Sequence, residues 1–494
     1  MNFRIVSKTL GVLSCLIGLA LALCWLYAYY DANHGGATDL EASAMRALMI
    51  ATLASFGIGI IQILAGFGTL NEVLRREAMV IVGLSWIEVG ILGAIPYVFC
   101  DPGLNPVEAI FESVSGFTTT GSTVMTDIEA FPKAILLWRS VTQWLGGIGI
   151  IVVFVAVLSF LGVGSRSILQ NESSLNISDA GRSRIQDVAF ILLKVYLTLS
   201  VVCCIGLLGL GMNFYEAVCH TMTTVATGGF SPKNNSIGHY ENIWIEAWIA
   251  VFMFLSSISF MLYVFVISRR TNRLKSEEEA KYYFLLTVVS CLAIAFDLHL
   301  ATDDHSYPQA FHEAFFNVIS ISTTTGFAVS DYDQWPLFSR MLLIILMLIG
   351  GCAGSTAGGV KMNRIILFAK ISWRELVRSF RPNQVFRIKL NGTAPDEKVF
   401  VTTSFFIAMG FIIAGVSTLT VTLFEPSLDL LSSVGCVFGT LFNTGPGFEA
   451  VGPTDNFSIL NPATQILLSF LMILGRLEFF ALLVLFVPSL WRKY

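Results

Sequence analysis

Long runs of apolar residues, separated by short polar connections, dominate the pattern of this chain. A helix needs roughly 20 apolar residues to cross the hydrocarbon core of a membrane. The pattern predicts ten such helices, the eighth interrupted by glycines, and we therefore expect an all-α membrane protein. The predicted spans cover about residues 9–30, 46–70, 78–99, 134–162, 186–211, 243–268, 282–300, 337–378, 399–424 and 464–490.

The composition agrees with this class of protein. The chain of 494 residues is 55% hydrophobic and only 13% charged, whereas a soluble domain carries about 25% charged residues. Lys and Arg concentrate in alternate connections, such as 268–275 and 361–398. The positive-inside rule then predicts that both termini are cytoplasmic, and we treat the first apolar run as an uncleaved span. We expect membrane lipid around the protein and no nucleic-acid partner.

A short semi-apolar stretch recurs four times between predicted spans. Three copies, EAIFESVSGFTTTG, EAVCHTMTTVATGG and EAFFNVISISTTTG, begin at Glu108, Glu216 and Glu313 and end on a glycine. The fourth copy, SSVGCVFGTLFNTG, ends at Gly445 and lacks the initial Glu-Ala. The repeat predicts two N-terminal helices followed by four pore repeats, with boundaries at 1–74, 75–165, 182–270, 280–380 and 398–494.

Each copy is too short to cross the membrane, because roughly ten to twelve helical residues at 1.5 Å per residue cover about half of the core. We predict four re-entrant half-helices that start near Glu108, Glu216 and Glu313 and return as extended backbone. Irregular backbone at membrane depth is tolerated only where it is buried in protein or lines a water-filled cavity. The alternative, that these stretches are ordinary polar turns outside the membrane, does not explain why four copies occur at matched positions between predicted spans.

Four such segments around one axis can form a site for a monovalent cation. Backbone carbonyls and threonine hydroxyls can replace the hydration shell of the ion, and glycine lets the carbonyls turn inward. Acidic residues that follow the loops are expected to concentrate cations at the outer mouth. These are Asp127, Asp331, Asp333, Glu449 and Asp455.

A glycine-rich stretch interrupts the eighth span in mid-membrane. Five of its ten residues are glycine, and each glycine costs about 1 kcal/mol of helix propensity. We predict an unwound loop below the cation site that acts as a gate; close helix packing through Gly350, Gly354 and Gly358 is the alternative. The gate residues are Gly350, Gly351, Cys352, Ala353, Gly354, Ser355, Thr356, Ala357, Gly358 and Gly359.

Two basic residues are candidates for the pathway. Arg476 lies near the middle of the last predicted span, where a charge is costly and functional by default. We expect its guanidinium to bond to carbonyls of the 350–359 loop, either as part of the gate or as a structural tie between helices. Lys361 follows the loop at its cytoplasmic end.

These features resemble the Trk/Ktr/HKT superfamily of potassium transporters. The two extra N-terminal spans, the motif QWLGGIGI (143–150) and the motif GGCAGSTAGGVK (350–361) resemble its bacterial TrkH-type branch. The resemblance implies a K⁺ filter lined by one glycine per repeat; in two repeats Gly228 competes with Gly229 and Gly447 with Gly445. The implied filter residues are Thr119, Thr120, Gly121, Thr227, Gly228, Gly229, Thr324, Thr325, Gly326, Asn443, Thr444 and Gly445.

The resemblance also implies a cellular location, an oligomeric state and partner subunits for the chain. It implies K⁺ uptake across the bacterial cytoplasmic (inner) membrane, by a homodimer with one pore per subunit. It implies docking on a cytosolic ring of regulatory subunits that bind NAD or ATP. This chain has no Walker A or Rossmann fingerprint, so we expect it to bind no nucleotide itself.

Other functions fit the sequence less well. A secondary transporter of a small organic solute would need inverted repeats around a midplane pocket, whereas the four copies here share one orientation. A Na⁺-selective relative is a closer alternative. A membrane-embedded enzyme is not expected, because the sequence contains no HExxH or GxSxG motif.

Overall fold

The structure is a computed structural model that describes residues 2–34, 38–68, 74–160, 182–267, 269, 274–301, 306–384, 386–392 and 394–491. The predicted end of the first pore repeat (161–165) and most of the basic stretch 268–275 lie outside these residues. Within them the regular structure is helical, as the apolar pattern predicted. The helices are α1 (Phe3–His34), α2 (Asp39–Ala65), α3 (Arg75–Phe99), α4 (Pro106–Phe117), α5 (Lys133–Phe160), α6 (Arg182–Gly209), α7 (Phe214–Val225), α8 (Ile243–Ser257), α9 (Phe260–Ile267), α10 (Glu279–Ala301), α11 (Tyr307–Ser322), α12 (Leu337–Leu348), α13 (Met362–Phe380), α14 (Glu397–Phe424), α15 (Leu430–Leu441), α16 (Pro462–Arg476), α17 (Phe480–Leu483) and α18 (Pro488–Trp491).

The two N-terminal helices pair closely because small residues line their contact. A Cβ atom added to Gly11 of α1 would lie 2.6 Å from the Gly59 carbonyl oxygen of α2. Buried apolar side chains of α1 and α2 continue into a cluster formed with the first and last repeats. The N-terminal pair thus packs against the side of the repeats.

Each repeat contains a first long helix, a half-helix and a second helix. The half-helices are α4, α7, α11 and α15. Asn105, Asn213 and Asp429 cap three of them by accepting hydrogen bonds from first-turn N–H groups. Such side-chain caps satisfy donors that a helix start leaves unpaired.

The predicted position of Glu313 at the start of its half-helix is wrong. Helix α11 begins at Tyr307, with a proline in its first turn, so Glu313 lies in the second turn. Its start, after Ser306, has no side-chain cap. The Glu-Ala pattern therefore marks the helix start in the first two repeats and not in the third.

The second helix of every repeat is interrupted, where the sequence predicted one break. Gly149 breaks α5 with non-helical angles (φ 5°, ψ −136°), and α8 and α9 meet at an angle of 89°. The 349–361 stretch separates α12 from α13. The last predicted span, 464–490, is also not continuous, because α16 ends at Arg476 and the next helix begins at Phe480.

These breaks explain the number of continuous spans. In the part of the chain that the structure describes, six helices are long and apolar enough to cross a membrane, and the bent pair α8–α9 can provide a seventh crossing. The other predicted crossings consist of shorter pieces that meet at the breaks.

Candidate ion pathway

All four half-helices end in the same backbone motif. Just beyond the end of α4, the Thr119 N–H donates to the Gly116 carbonyl (3.0 Å), and the Thr120 N–H donates to the Ser115 carbonyl (2.9 Å). This is the Schellman arrangement, which places one residue in the left-handed conformation. The equivalent left-handed residues are Thr119 (φ 54°), Thr227 (φ 52°), Thr324 (φ 57°) and Asn443 (φ 53°).

Three of these left-handed residues are threonines, and this is a strained choice. A β-branched residue at positive φ is an outlier that costs on the order of 1–3 kcal/mol. Asn443, in the fourth repeat, belongs to a residue type that tolerates this conformation better. Strain repeated at matched positions is characteristic of functional sites, where the surrounding structure enforces it.

The chain then continues as four short extended segments that contact one another in a ring. We define them as segments 1 to 4. A Cβ atom on the glycine of each would collide with a carbonyl of the next: Gly121 with that of Gly228, Gly229 with that of Thr325, and Gly326 with that of Thr444. A Cβ on Gly445 would lie 2.6 Å from the Thr120 carbonyl oxygen, which closes the ring. The segments comprise residues 118–122, 226–230, 323–327 and 442–446.

The ring fixes which glycines are structurally equivalent. Gly121 (φ 89°), Gly229 (φ 79°), Gly326 (φ 83°) and Gly445 (φ 101°) all have positive φ. The competing Gly228 and Gly447 are absent from the positive-φ glycines of the described chain. The twelve residues predicted for the filter lie together in these four segments. Their role in holding K⁺ stays a prediction.

Segments 1 and 3 are supported by hydroxyl groups of their own repeats. Ser115 donates to the Ser122 carbonyl (2.5 Å), and Ser320 donates to the Phe327 carbonyl (2.6 Å). In each segment two threonine hydroxyls also pair at 2.7 Å. We call these contacts own-repeat support; the threonine pairs are Thr118–Thr120 and Thr323–Thr325.

Segments 2 and 4 are supported from repeat 1. Gln143 of α5 donates to the Gly228 carbonyl (2.6 Å) and accepts from the Phe230 N–H (3.0 Å). Ser122 of segment 1 donates to the Gly445 carbonyl (2.7 Å). Asn443 donates to the Thr120 hydroxyl at 2.8 Å, which links segment 4 to segment 1 again. We call these contacts cross-repeat support.

The glycine-rich stretch forms a non-helical loop that bonds directly to the ring. The Gly358 N–H donates to the Thr324 hydroxyl (2.6 Å), and the Gly359 N–H donates to the Phe442 carbonyl (2.8 Å). Thr356 donates to the Val225 carbonyl, at the end of α7. Because the loop is not helical, it does not form the alternative helix interface through Gly350, Gly354 and Gly358. Its action as a gate stays a prediction.

Arg476 ties this loop to the kinked helix α5. Its guanidinium donates to the Thr356 carbonyl (2.9 Å) and to the carbonyls of Gly146 (2.9 Å) and Gly147 (3.1 Å). The expected bond between Arg476 and a loop carbonyl is thus present. Lys361 folds back on the loop and donates to the Ala357 carbonyl. Both cations therefore lie against the glycine-rich loop.

A cavity of about 130 Å³ adjoins the ring and is lined by Gly121, Gly229 and Gly326. Among the five acidic residues expected at the mouth, Asp455 lines it. Glu449 instead pairs with Arg340. Lys233 also lines the cavity and pairs with Glu216 at 3.3 Å. Charges of both signs therefore line the cavity, and the concentration of cations by the acidic residues stays a prediction.

The sequence reasoning missed a buried ion pair behind the ring. Arg139 of α5 donates to Glu112 of α4 at 2.5 Å; their side chains are 2% and 0% exposed. Arg139 also donates to the Ser231 carbonyl (2.9 Å) and lies over the Phe230 ring. The available signal was a second carboxylate in the middle of the half-helix, away from its start.

The comparisons with known proteins agree with the fold and with the resemblance. The chain is 35% identical to the Trk system potassium uptake protein TrkH of Salmonella typhimurium, over the full length of both chains. It is equally similar to the TrkH of Escherichia coli strain K12. The crystal structure of the potassium transporter TrkH from Vibrio parahaemolyticus superposes with a TM-score of 0.86, at 31% identity and full coverage of both chains.

The family match covers residues 61–493 and is described as a cation transport protein. It leaves out most of the N-terminal pair α1–α2 and includes all four repeats. Because this match and the full-length relatives agree, the resemblance and the prediction that the chain is not an enzyme are confirmed. The chain belongs to the TrkH family of cation transport proteins.

Proposed function

We propose that this protein takes up K⁺ across the cytoplasmic membrane through a channel-like pore. The ring of segments 1 to 4 is the selectivity filter, where backbone carbonyls and threonine hydroxyls replace the hydration shell of the ion. The observation that carries this proposal is the closed ring of glycine–carbonyl contacts, which runs through the four repeats in chain order. The potassium uptake proteins with which the chain shares full-length similarity support the same ion.

The filter proposal is tested by adding a side chain to the ring. Gly121→Ser forces a Cβ into a left-handed position and against the Gly228 carbonyl. We expect the ratio of Rb⁺ to Na⁺ uptake into proteoliposomes to fall about tenfold, which corresponds to ~1.4 kcal/mol. Gly415→Ser is the matched control, since nothing lies within 4 Å of its added Cβ. An unchanged ratio in Gly121→Ser would refute the filter assignment.

We infer that the 350–359 loop gates this pore from the inner side. Its hydrogen bonds to Thr324 and to the Phe442 carbonyl support a position across the pathway. Arg476 and Lys361 add positive charge there, which raises the barrier to cations. Shortening the loop within 353–357 is expected to raise Rb⁺ uptake; uptake that stays at the wild-type rate would contradict this role.

The assembly and location follow from the same proposal. The protein acts as a homodimer in the bacterial inner membrane, with both termini in the cytoplasm and a ring of NAD- or ATP-binding subunits below it. The relatives are named as parts of a Trk system, which supports a partner. An imposed pH gradient in the same proteoliposomes distinguishes passive from H⁺-coupled uptake.

The alternatives predict different outcomes in these flux experiments. A Na⁺-selective relative would take up Na⁺ in preference to Rb⁺. A transporter of a small organic solute would show no cation-selective uptake. The glycine at position 121, where the resemblance implies serine in Na⁺-preferring members, favours K⁺.

A further inference from the structure

Segment 2 lacks both forms of own-repeat support. The two positions that hold paired threonines in segments 1 and 3 are Ala226 and Gly228 here. The residue equivalent to Ser115 and Ser320 is Thr223. Its hydroxyl donates back to the Cys219 (3.1 Å) and His220 (3.2 Å) carbonyls of its own helix. Something else must therefore hold this stretch in place.

The buried side chain of Gln143 provides the missing support for segment 2. It is 0% exposed and reaches segment 2 from α5 of the preceding repeat. Its Nε2 donates to the Gly228 carbonyl and its Oε1 accepts from the Phe230 N–H. Since an amide nitrogen only donates and an amide oxygen only accepts, these two partners fix its orientation.

The two bonds fall on the peptide units that flank Gly229. One partner is the carbonyl just before Gly229, which faces Gly121 in the ring. The other is the N–H of the residue just after it. Gly228 and Gly229 are adjacent glycines with wide conformational freedom. Without the amide, the Gly228 carbonyl is free to turn or to move inward.

Gln143 and Gly228 also share one volume. A Cβ atom on Gly228 would overlap the carboxamide of Gln143. The site therefore holds either a side chain on residue 228 or the glutamine, and not both. In segments 1 and 3 the position equivalent to Gly228 carries a side chain, that of Thr120 or Thr325.

We propose that Gln143 is a positioning residue that determines ion selectivity by holding the Gly228 carbonyl of segment 2. The inference rests on the proposed function, since it assigns Gln143 a role in the same filter. A carbonyl held at fixed distance suits a large cation, whereas a carbonyl free to move inward also accommodates a smaller one. The expected consequence of losing Gln143 is a lower ratio of Rb⁺ to Na⁺ uptake rather than a uniform loss of uptake.

The first experiment measures that ratio in proteoliposomes for two substitutions. Gln143→Glu keeps the size and an oxygen for Phe230 but removes the donor to Gly228; Gln143→Leu removes both bonds. We expect both to lower the Rb⁺/Na⁺ ratio about fivefold, as for one lost buried hydrogen bond. Thr142→Val is the matched control on the same helix, because its hydroxyl donates to the Arg139 carbonyl and not to segment 2.

The second experiment replaces the glutamine that supports segment 2 with a threonine on the segment itself, as in segment 1. Gly228→Thr alone places its side chain against Gln143, and we expect it to abolish selective uptake. Combining it with Gln143→Ala creates the space and gives segment 2 the threonine that segment 1 has. We expect this double variant to recover Rb⁺/Na⁺ discrimination, a non-additive result that indicates direct contact.

The outcomes separate this inference from the proposed function. A wild-type protein that does not prefer Rb⁺ over Na⁺ refutes the proposed function itself. A selective wild type, together with a Gln143→Leu variant of unchanged ratio, refutes only the role of Gln143. If Gln143→Leu does not fold, the second experiment tests the role of Gln143. A double variant that recovers the Rb⁺/Na⁺ ratio supports this role, and a double variant with the same ratio as Gly228→Thr overturns it.

Discussion

Segments 1 and 3 share a backbone with segments 2 and 4 but are held in place differently. In segments 1 and 3, a serine of the repeat's own half-helix and a pair of threonine hydroxyls secure the extended backbone. In segment 4 the serine position is Gly439, whose added Cβ would lie 2.8 Å from the Gly445 carbonyl oxygen, so the half-helix packs directly against the segment. Because the ring runs in chain order, like segments stand opposite each other.

This difference makes repeat 1 unusual among the four. Gln143 from its second helix holds segment 2, and Ser122 from its own segment holds Gly445. The carboxylate of Glu112 accepts from the hydroxyl of Thr123 and the N–H of Val124 in the same repeat. Damage to these contacts of repeat 1 should therefore reach three segments, whereas loss of the own-repeat support of segment 3 should affect segment 3 alone.

The largest expected effect comes from breaking the buried ion pair of repeat 1. Arg139→Met leaves Glu112 as a buried carboxylate without its cation and removes the bond to the Ser231 carbonyl. Loss of one partner of a buried pair costs about 3–5 kcal/mol. We expect a strongly lowered midpoint in thermal unfolding of the purified protein in detergent.

The matched position in repeat 3 provides the control. Asn317 is equivalent to Glu112, and its amide donates to the Glu313 carbonyl and the Ser330 hydroxyl. Asn317→Ala is expected to cost only about 1–3 kcal/mol, because it removes neutral hydrogen bonds. If Arg139→Met and Asn317→Ala lower the unfolding midpoint equally, this position contributes no more to stability in repeat 1 than it does in repeat 3.

A smaller effect is expected from the own-repeat support. Ser320→Ala removes the donor to the Phe327 carbonyl and leaves that buried oxygen with one partner fewer. The loss of about 1 kcal/mol is expected to lower the Rb⁺/Na⁺ uptake ratio about fivefold, since it falls on the carbonyl of Phe327, the residue that directly follows Gly326.

Thr223→Val is the counterpart for segment 2, where the equivalent hydroxyl bonds only within its own helix. Valine matches threonine in shape, so the helix is preserved. We expect the uptake ratio to stay at the wild-type value. A ratio that falls as far as in Ser320→Ala would mean that the hydroxyl position matters in every repeat, and that the distinction between the two kinds of support is wrong.

The sequence predicted the architecture because the relevant signals are local. Apolar length predicted membrane helices, and the recurring glycine-ended stretches predicted four half-helices with matched segments. The glycine run at 350–359 predicted a non-helical loop, since so many glycines oppose a helix. Each of these is a property of ten to thirty consecutive residues, so it can be recognised without knowing what packs against it.

The missing features depend on contacts between distant residues. The bond between Gln143 and Gly228 joins positions far apart in the chain, and nothing near Gln143 indicates its partner. The break after Arg476 occurs in a stretch without proline, at Glu478 and Phe479, which adopt positive φ (53° and 66°). Tertiary contacts override helix propensity there: Glu478 pairs with Arg364 of α13, and Arg476 bonds to the loop.

A pH-dependent effect is expected at the contact between the loops that follow segments 3 and 4. Asp333 is half-buried, and a Cβ on Gly452 would overlap its carboxylate. Burial, together with the nearby Asp331 and Glu449 carboxylates, raises the pKa of Asp333 from 3.8 to about 6. A raised pKa means that the folded protein binds this proton more tightly than the unfolded chain does.

The stabilising contribution of the proton is thus complete below about pH 4 and is lost as the pH rises through about 6. Asp333→Asn mimics the protonated form at every pH. The variant should therefore unfold at a higher temperature than the wild type at pH 8, and the gap should narrow at pH 5. Gln334→Ala, a non-titrating change in the same turn, should shift the midpoint by the same amount at both pH values. A gap for Asp333→Asn that does not depend on pH would show that the charge of Asp333 does not strain this contact between repeats, and that the loops of repeats 3 and 4 are coupled by packing alone.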